Sequence, residues 1–305
     1  MNTIKVTKVA QFTGHQGAIY TLCEGLNANE FYSGGNDGLV VCWNTHAPDS
    51  GKLLVKVNRP VYSLCLDEDK KLLYCGTAAG NLHVIDLNQG VELKNYEAHQ
   101  NGIFDIKLTN QFLITSGGDG VVLVWDIATF QIIHQLNHSD KSARALYYDA
   151  NNNWLAVGYS DYKIRIFNTH DFKLEHTINA HENSVFTLAY YAPTQELLSG
   201  GRDVMLKSWQ VTNDYQPDVN IPAHTLHINH IALNHSGNLF ATASMDKTIK
   251  LWKSENMQLL KVIDKARNDG HLSSVNKILW LSPTSFISAA DDRVAMMWQI
   301  ESSEN

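Results

Sequence analysis

Residues 113–126 read LITSGGDGVVLVWD. A short apolar run meets a glycine-rich turn at Asp119, and a second run rich in β-branched residues ends in Trp125. Glycine tolerates positive φ and Asp or Asn can sit beside it, so the string reads as two strands joined by a tight reversal. The same grammar returns as LAVGYSDYKIRIFN at 155–168, LLSGGRDVMLKSWQ at 197–210, FATASMDKTIKLWK at 240–253 and FISAADDRVAMMWQ at 286–299. Aligned on the turn, the marks are Asp37, Ala79, Asp119, Asp161, Asp203, Asp246 and Asp292, at steps of 42, 40, 42, 42, 43 and 46 residues. Six residues after each mark stands a large apolar side chain: Trp43, Ile85, Trp125, Phe167, Trp209, Trp252 and Trp298. A period of about 40–45 residues is the signature of a stacked or radial array of like units.

The first unit shows what each copy builds. GHQGAIYTLCEGL, from Gly14, alternates as a strand, and FYSGG is a second. Asn36-Asp37-Gly38 is the turn, LVVCWN a third strand and, after a loop, KLLVKV a fourth. Four short antiparallel strands cannot cover both faces of their own sheet, so each copy must pack on the next. Sustained 3.6-residue periodicity is nearly absent, which leaves almost no helix. The degenerate copy is YCGTAAGNLHVID at 74–86.

These residues resemble the WD-repeat (β-transducin-like) family of β-propellers. The match runs over nearly the whole chain; one glycine-histidine or tryptophan-aspartate pair is a weak signal, and seven registered copies are a strong one. The resemblance implies an all-β fold: a seven-bladed β-propeller of four-stranded antiparallel blades around a central channel. It also implies a single domain over 1–305, with approximate repeats at 14–57, 58–97, 98–137, 138–179, 180–222, 223–264 and 270–300. The last repeat ends its third strand near Ile300, and Thr3 to Phe12 is a spare strand ahead of the first Gly-His. In propellers of this kind the N-terminal strand completes the last blade and removes an open edge. With no extension beyond the propeller, the chain is expected to act as a bare platform or through its loops.

Composition narrows the function classes. Hydrophobic residues make up 44% of the chain and charged residues 18%, so a full core is expected and disorder is not. The net charge of -7, from 24 basic and 31 acidic residues, disfavours direct nucleic-acid or anionic-membrane contact. The start MNTIKVTKVAQF has no signal-peptide core, and no run reaches the ~18 apolar residues of a membrane helix. Cys23, Cys42, Cys65 and Cys75 lie in strand-like segments without C-x-x-C spacing, which suggests reduced, buried thiols in a cytoplasmic protein.

Five copies carry His, Ser or Thr, Asp and Trp: His15, Ser33, Asp37, Trp43; His99, Thr115, Asp119, Trp125; His181, Ser199, Asp203, Trp209; His224, Thr242, Asp246, Trp252; His271, Ser288, Asp292, Trp298. Such a set invites a hydrolase reading, but an enzyme needs one nucleophile, not five. In WD-repeat blades the aspartate meets the histidine, the histidine the hydroxyl and the hydroxyl the indole, a network that ties strands together. The second copy has Val57, Cys75, Ala79 and Ile85 instead. The fourth is read as keeping His138, with one extra residue after it, and Asp161, beside Val157 and Phe167. Both are expected to rest more on packing. His224, His227, His230 and His235 lack a carboxylate or cysteine partner nearby, so no metal and no cofactor is expected. No P-loop, G-x-G-x-x-G, H-E-x-x-H or EF-hand spacing occurs.

Function is then expected on the loop-rich face, which in the family commonly binds peptides or proteins. The first-strand aliphatics are Ile19, Val61, Ile103, Ala143, Val185, Ile228 and Val275. The residues after them are Tyr20, Tyr62, Phe104, Arg144, Phe186, Asn229 and Asn276. Turn residues Asn36, Ser160, Arg202, Met245 and Asp291 sit beside them in this reading. Tyr, Phe and Arg are hot-spot residue types, so an aromatic arc with Arg144 and Arg202 suits an extended peptide bearing an apolar anchor and an acidic group. The same rings also serve as plain channel-wall packing. The expectation is a non-enzymatic, protein-binding scaffold, a monomeric propeller within a complex. The alternative is a lactonase-like propeller hydrolase with a channel metal, for which aromatic, amide and Arg side chains are poor ligands.

Overall fold

Each repeat folds as a four-stranded antiparallel sheet whose inner strands are apolar on both faces. The computed structural model describes residues 4–301. In the first blade the strands are Ile19–Glu24, Glu30–Gly35, Leu39–Asn44 and Ala47–Lys56. Glu30–Gly35 is buried from its second residue to its end, while Ala47–Lys56 is mostly exposed. That gradient explains why the inner strands read as near-continuous apolar runs and the fourth strands do not. The fourth strand begins at Ala47, five residues before the expected KLLVKV, because Asn44 pairs directly with Ala47 across a two-residue turn. Pro48 is tolerated there because the outermost strand has a free edge.

The turn that carries the aspartate places its next residue in the left-handed region. Gly38, Gly80 and Gly120 fill that position at φ of 73°, 90° and 84°. Tyr162, Val204, Lys247 and Arg293 take the same conformation in the other four blades, at φ of 74°, 64°, 72° and 70°. Val204 is the costly one, since a β-branched side chain crowds its own backbone there.

Seven such sheets stand around an axis. The innermost strand of each blade touches that of the next, and Val275–Ser282 of the last blade touches Ile19–Glu24 of the first, so the ring is closed. An apolar cluster fills each of the seven spaces between neighbouring blades. No blade has a core of its own, so stability is shared between neighbours. Lys5–Thr13 is the outermost strand of the last blade and pairs antiparallel with Val294–Glu301, from Lys5 opposite Glu301 to Thr13 opposite Val294. Thr3, the first residue of the expected spare strand, lies outside the described residues. Phe12 carries this strand into the seam between last and first blades, fully buried and edge-on to Phe31 at 4.9 Å.

The longest step of the repeat, from Asp246 to Asp292, contains a single helical turn, Lys265–Asn268. Asp264 caps it by accepting from the Arg267 N–H at 2.8 Å. Among the described residues no helix is long and apolar enough to cross a membrane.

Candidate functional site

The five polar sets form one arrangement five times. In the first blade the Trp43 indole N–H donates to Ser33 Oγ at 2.7 Å, and the hydroxyl lies 2.7 Å from His15 Nε2. His15 Nδ1 lies 3.0 Å from an Asp37 carboxylate oxygen. The other four repeat it, with indole contacts of 2.8–3.1 Å and histidine–aspartate contacts of 2.9–3.1 Å. The carboxylate also accepts the backbone N–H after the histidine, from Gln16, Gln100, Glu182, Thr225 and Leu272. A carboxylate acceptor fixes the proton on Nδ1, so Nε2 takes the hydroxyl proton and the hydroxyl oxygen takes the indole. All five hydroxyls are fully buried. With both partners engaged and solvent excluded, they have neither freedom nor access to attack a substrate.

Burial holds His15, His99 and His224 below the usual imidazole range, against the opposing pull of their aspartates. Burial pushes the Asp37 carboxyl up, but the Leu39 and Gln16 N–H groups and His15 outweigh it and the net position is below the ordinary range. The same balance, led by histidine, lowers Asp203 and Asp292.

The fourth blade holds a polar clamp of its own, beyond the packing expected of it, whereas Val57, Cys75 and Ile85 of the second pack in the apolar cluster between first and second blades. In the fourth blade the histidine position belongs to Ser139, not His138. The Ser139 carbonyl lies where a side chain on turn residue Gly120 would point, as the His99 carbonyl does for Gly80. Ser139 Oγ donates to Asp161 at 2.9 Å, and Arg165 grips the same carboxylate with two N–H groups at 3.1 and 2.7 Å. His138 instead packs its ring on Phe167 at 5.1 Å. In the second blade His83, at the position equivalent to Arg165, lies 2.9 Å from Glu92. Counting back from the aspartate, 22 residues as in three intact sets, finds Ser139 in the sequence; the more eye-catching histidine next to it hid the register.

The seven residues that follow the first-strand aliphatics come together. The aliphatics are all fully buried, and Tyr20, Tyr62, Phe104, Arg144, Phe186, Asn229 and Asn276 line one open cavity of about 350 Å³ at the channel mouth. Five of them, from Tyr20 to Phe186, touch in sequence around the ring. Tyr20 is edge-on to Tyr62 at 5.4 Å, and Tyr62 stacks on Phe104 at 5.6 Å. The Arg144 guanidinium lies between two rings, 4.0 Å from the centre of Phe104 and 5.3 Å from that of Phe186. Its Nε donates to Ser160 Oγ at 3.2 Å. Asn229 donates to the Val275 carbonyl and Asn276 to the Ile19 carbonyl, both at 2.9 Å, joining sixth blade to seventh and seventh to first. His227, which the sequence reading set aside, packs edge-on to Phe186 at 5.9 Å. Arg202 is exposed and does not line the cavity.

A second ring lies beneath. Each first strand shifts register between its aliphatic and the residue two places on, a bulge present in all seven blades. Side chains at that second place stitch blade to blade. Asp105 accepts the Leu146 N–H at 2.9 Å, Thr187 the Ile231 N–H at 2.9 Å, and His230 Nδ1 the Ile278 N–H at 3.3 Å. Ser63 donates to the Ile103 carbonyl at 2.9 Å. The four cysteines are free thiols, and burial pushes Cys65 up to about 11. Among the described residues no three His, Cys, Asp or Glu side chains are grouped to hold a metal.

Comparison with known proteins agrees with this geometry. The family model "WD domain, G-beta repeat" matches residues 6–44, 90–126 and 216–253, and "Anaphase-promoting complex subunit 4 WD40 domain" matches 122–193. The chain is 24% identical over 240 residues to "Target of rapamycin complex subunit wat1" of Schizosaccharomyces pombe, 75% of each chain. It is 21% identical over 297 residues to "Protein tipD" of Dictyostelium discoideum, covering 95% of this chain and 48% of that one. It spans less than half the length of several further curated relatives. The WD40 β-propeller domain of Doa1 superposes with a TM-score of 0.86 at 18% identity, over 99% of this chain and 98% of that one.

Proposed function

Because this chain belongs to the WD-repeat family of β-propellers, we propose that it is a non-enzymatic scaffold that docks a protein or peptide partner at the mouth of its channel. The observation that carries this reading is the mouth itself, where one residue from each of seven blades meets in one cavity. Aromatic and arginine side chains already held against one another lose little freedom on binding, and they are the types that dominate binding energy. The stacked Tyr62 and Phe104 and the neighbouring Phe186 offer an apolar face, with Arg144 between them as a half-buried cation. An extended segment with an apolar anchor and an acidic group fits that chemistry, and Arg202 extends the positive field at the rim.

One relative is by name a complex subunit, and the same role suits a monomeric propeller presenting a single mouth. A net charge of -7 argues against nucleic acid as the direct ligand. Free thiols, buried at Cys75 and half-buried at Cys23, Cys42 and Cys65 rather than all buried as expected, suit a reducing compartment such as the cytoplasm.

Site-specific photocrosslinking tests the reading. A photoreactive phenylalanine at Phe104 is expected to capture a partner in cells, whereas one at Leu93, exposed on an outer strand, is not. Capture from Leu93 with none from Phe104 moves the site to the blade edge and overturns it.

A further inference from the structure

Lys277 is out of character with the ring it belongs to. It occupies the stitching position of the seventh blade, two residues after Val275, where Asp105, Thr187 and His230 use acceptor atoms to hold the next blade. An ammonium group has only donors and cannot accept the next blade's N–H as those three do, and Lys277 does not donate to a neighbouring carbonyl as Ser63 does. Among the described residues the Lys277 ammonium has no hydrogen-bond or ion-pair partner, although its backbone lies in the ladder opposite Ala289. It borders a cavity of about 120 Å³ inside the channel that runs down from the seven mouth residues, Arg144 among them, to Asp105, Lys107 and His230. That is room for several waters, or for a tetrahedral oxyanion with some of them.

The charges in this chamber do not balance. Asp105 is the one carboxylate facing it, and it is already engaged by the Leu146 N–H at 2.9 Å and by Lys107 Nζ at 3.5 Å. Burial lowers His230 well below the usual imidazole range, and Lys277 and Lys107 add to that, so the ring is neutral. Its Nδ1 accepts the Ile278 N–H, which leaves the proton on Nε2. Burial also raises Cys23, so no thiolate supplies the missing negative charge. Three basic side chains, Lys107, Arg144 and Lys277, thus face one carboxylate in a protein whose net charge is -7. Lys277 is half-buried, and desolvation lowers it from the ordinary ammonium range against the pull of Asp105, so an anion seated beside it would favour the charged form and be held by it.

We propose that the chamber beneath the mouth is an oxyanion-binding site, with the Lys277 ammonium as the principal contact and Lys107 the second cation. Two sources carry that chemistry: free inorganic phosphate, or the carboxylate of an acidic side chain reaching down from a docked peptide. The second source rests on the mouth reading and the first does not.

Isothermal titration of the full chain at pH 7 in low-chloride buffer, with inorganic phosphate and separately with acetate, tests the proposal. Saturable one-to-one binding of at least one anion is expected, weakened at least tenfold in Lys277→Met and less in Lys107→Met. Circular dichroism establishes that both variants fold, and Lys277→Gln keeps a polar group in case the methionine variant does not. Binding of phosphate assigns a free or phosphoryl anion, and binding of acetate alone assigns a side-chain carboxylate. Because Tyr62 and Phe104 line this cavity as well as the mouth, the separation comes from the ligands: phosphate and acetate are titrated with no peptide present, so their binding does not depend on a docked partner. No saturable binding of either anion to wild type, or binding indifferent to both Lys277 and Lys107, overturns the proposal and leaves the mouth reading to its own test.

Discussion

Removing the Ser199 hydroxyl strands two buried groups at once, the Trp209 indole N–H and His181 Nε2, which contact it at 2.9 and 2.8 Å. Ser199→Ala is therefore expected to cost about 1–3 kcal/mol, read as a lower urea midpoint at unchanged slope. The same networks set the response to pH. His15, His99 and His224 are held below 6.5, so between there and their folded values the unfolded chain binds more protons, and stability drops as pH falls. Asp37, Asp203 and Asp292 are held below 3.8, so their contribution is whole above that value and is lost as pH falls through their folded values. Urea melts are expected to give level stability between about pH 7 and 8, a first decline below pH 6.5 and a second below pH 3.8. A midpoint that rises on acidification from pH 7 to 5 would contradict the neutral buried imidazoles. The residue types of these sets were legible in the sequence because each recurs five times. The Arg165 clamp was not, because it occurs once and its partner lies four residues away on the turn.

At the scale of the element, the turn after each aspartate is the strained piece. Val204 holds φ of 64° where three blades use glycine. Relief of the left-handed penalty, about 1–2 kcal/mol, exceeds the entropy glycine adds to the unfolded chain, about 0.5–1 kcal/mol. Val204→Gly is expected to raise Tm by about 1–3 °C in a calorimetric scan. A fall in Tm would mean that the Val204 side chain contributes more by packing than its backbone loses. Strand type and order were readable from alternation and turns. The start of the fourth strand was not, because an exposed outer strand such as Ala47–Lys56 is free of the apolar pattern that marks the buried ones. The mouth was readable for a geometric reason: the same bulge follows every first-strand aliphatic, so one count places all seven residues. Lys277 was hidden because its neighbours in the chamber, His230 on one side and Asp105 on the other, are far from it in sequence.

At the scale of the molecule, the ring depends on one seam. Lys5–Thr13 comes from one end of the chain and Val294–Glu301 from the other, and Phe12 fills the space between last and first blades. Phe12→Ala removes a fully buried ring and is expected to cost about 3–5 kcal/mol, lowering the urea midpoint and exposing the edge of Val294–Glu301 to self-association. An unchanged midpoint would mean the ring holds without this strand. The closed ring is what brings Tyr20 and Asn276 side by side, although they stand 256 positions apart, so closure and the mouth stand or fall together.

The most direct test of the mouth as the working surface is affinity capture from the source cell. Wild type is set beside the Tyr62→Ala, Phe104→Ala, Phe186→Ala variant, both first shown by circular dichroism to be folded. Specific partners held by wild type and lost from the variant are the predicted result. An identical set of partners on both proteins would contradict it and place recognition elsewhere on the propeller.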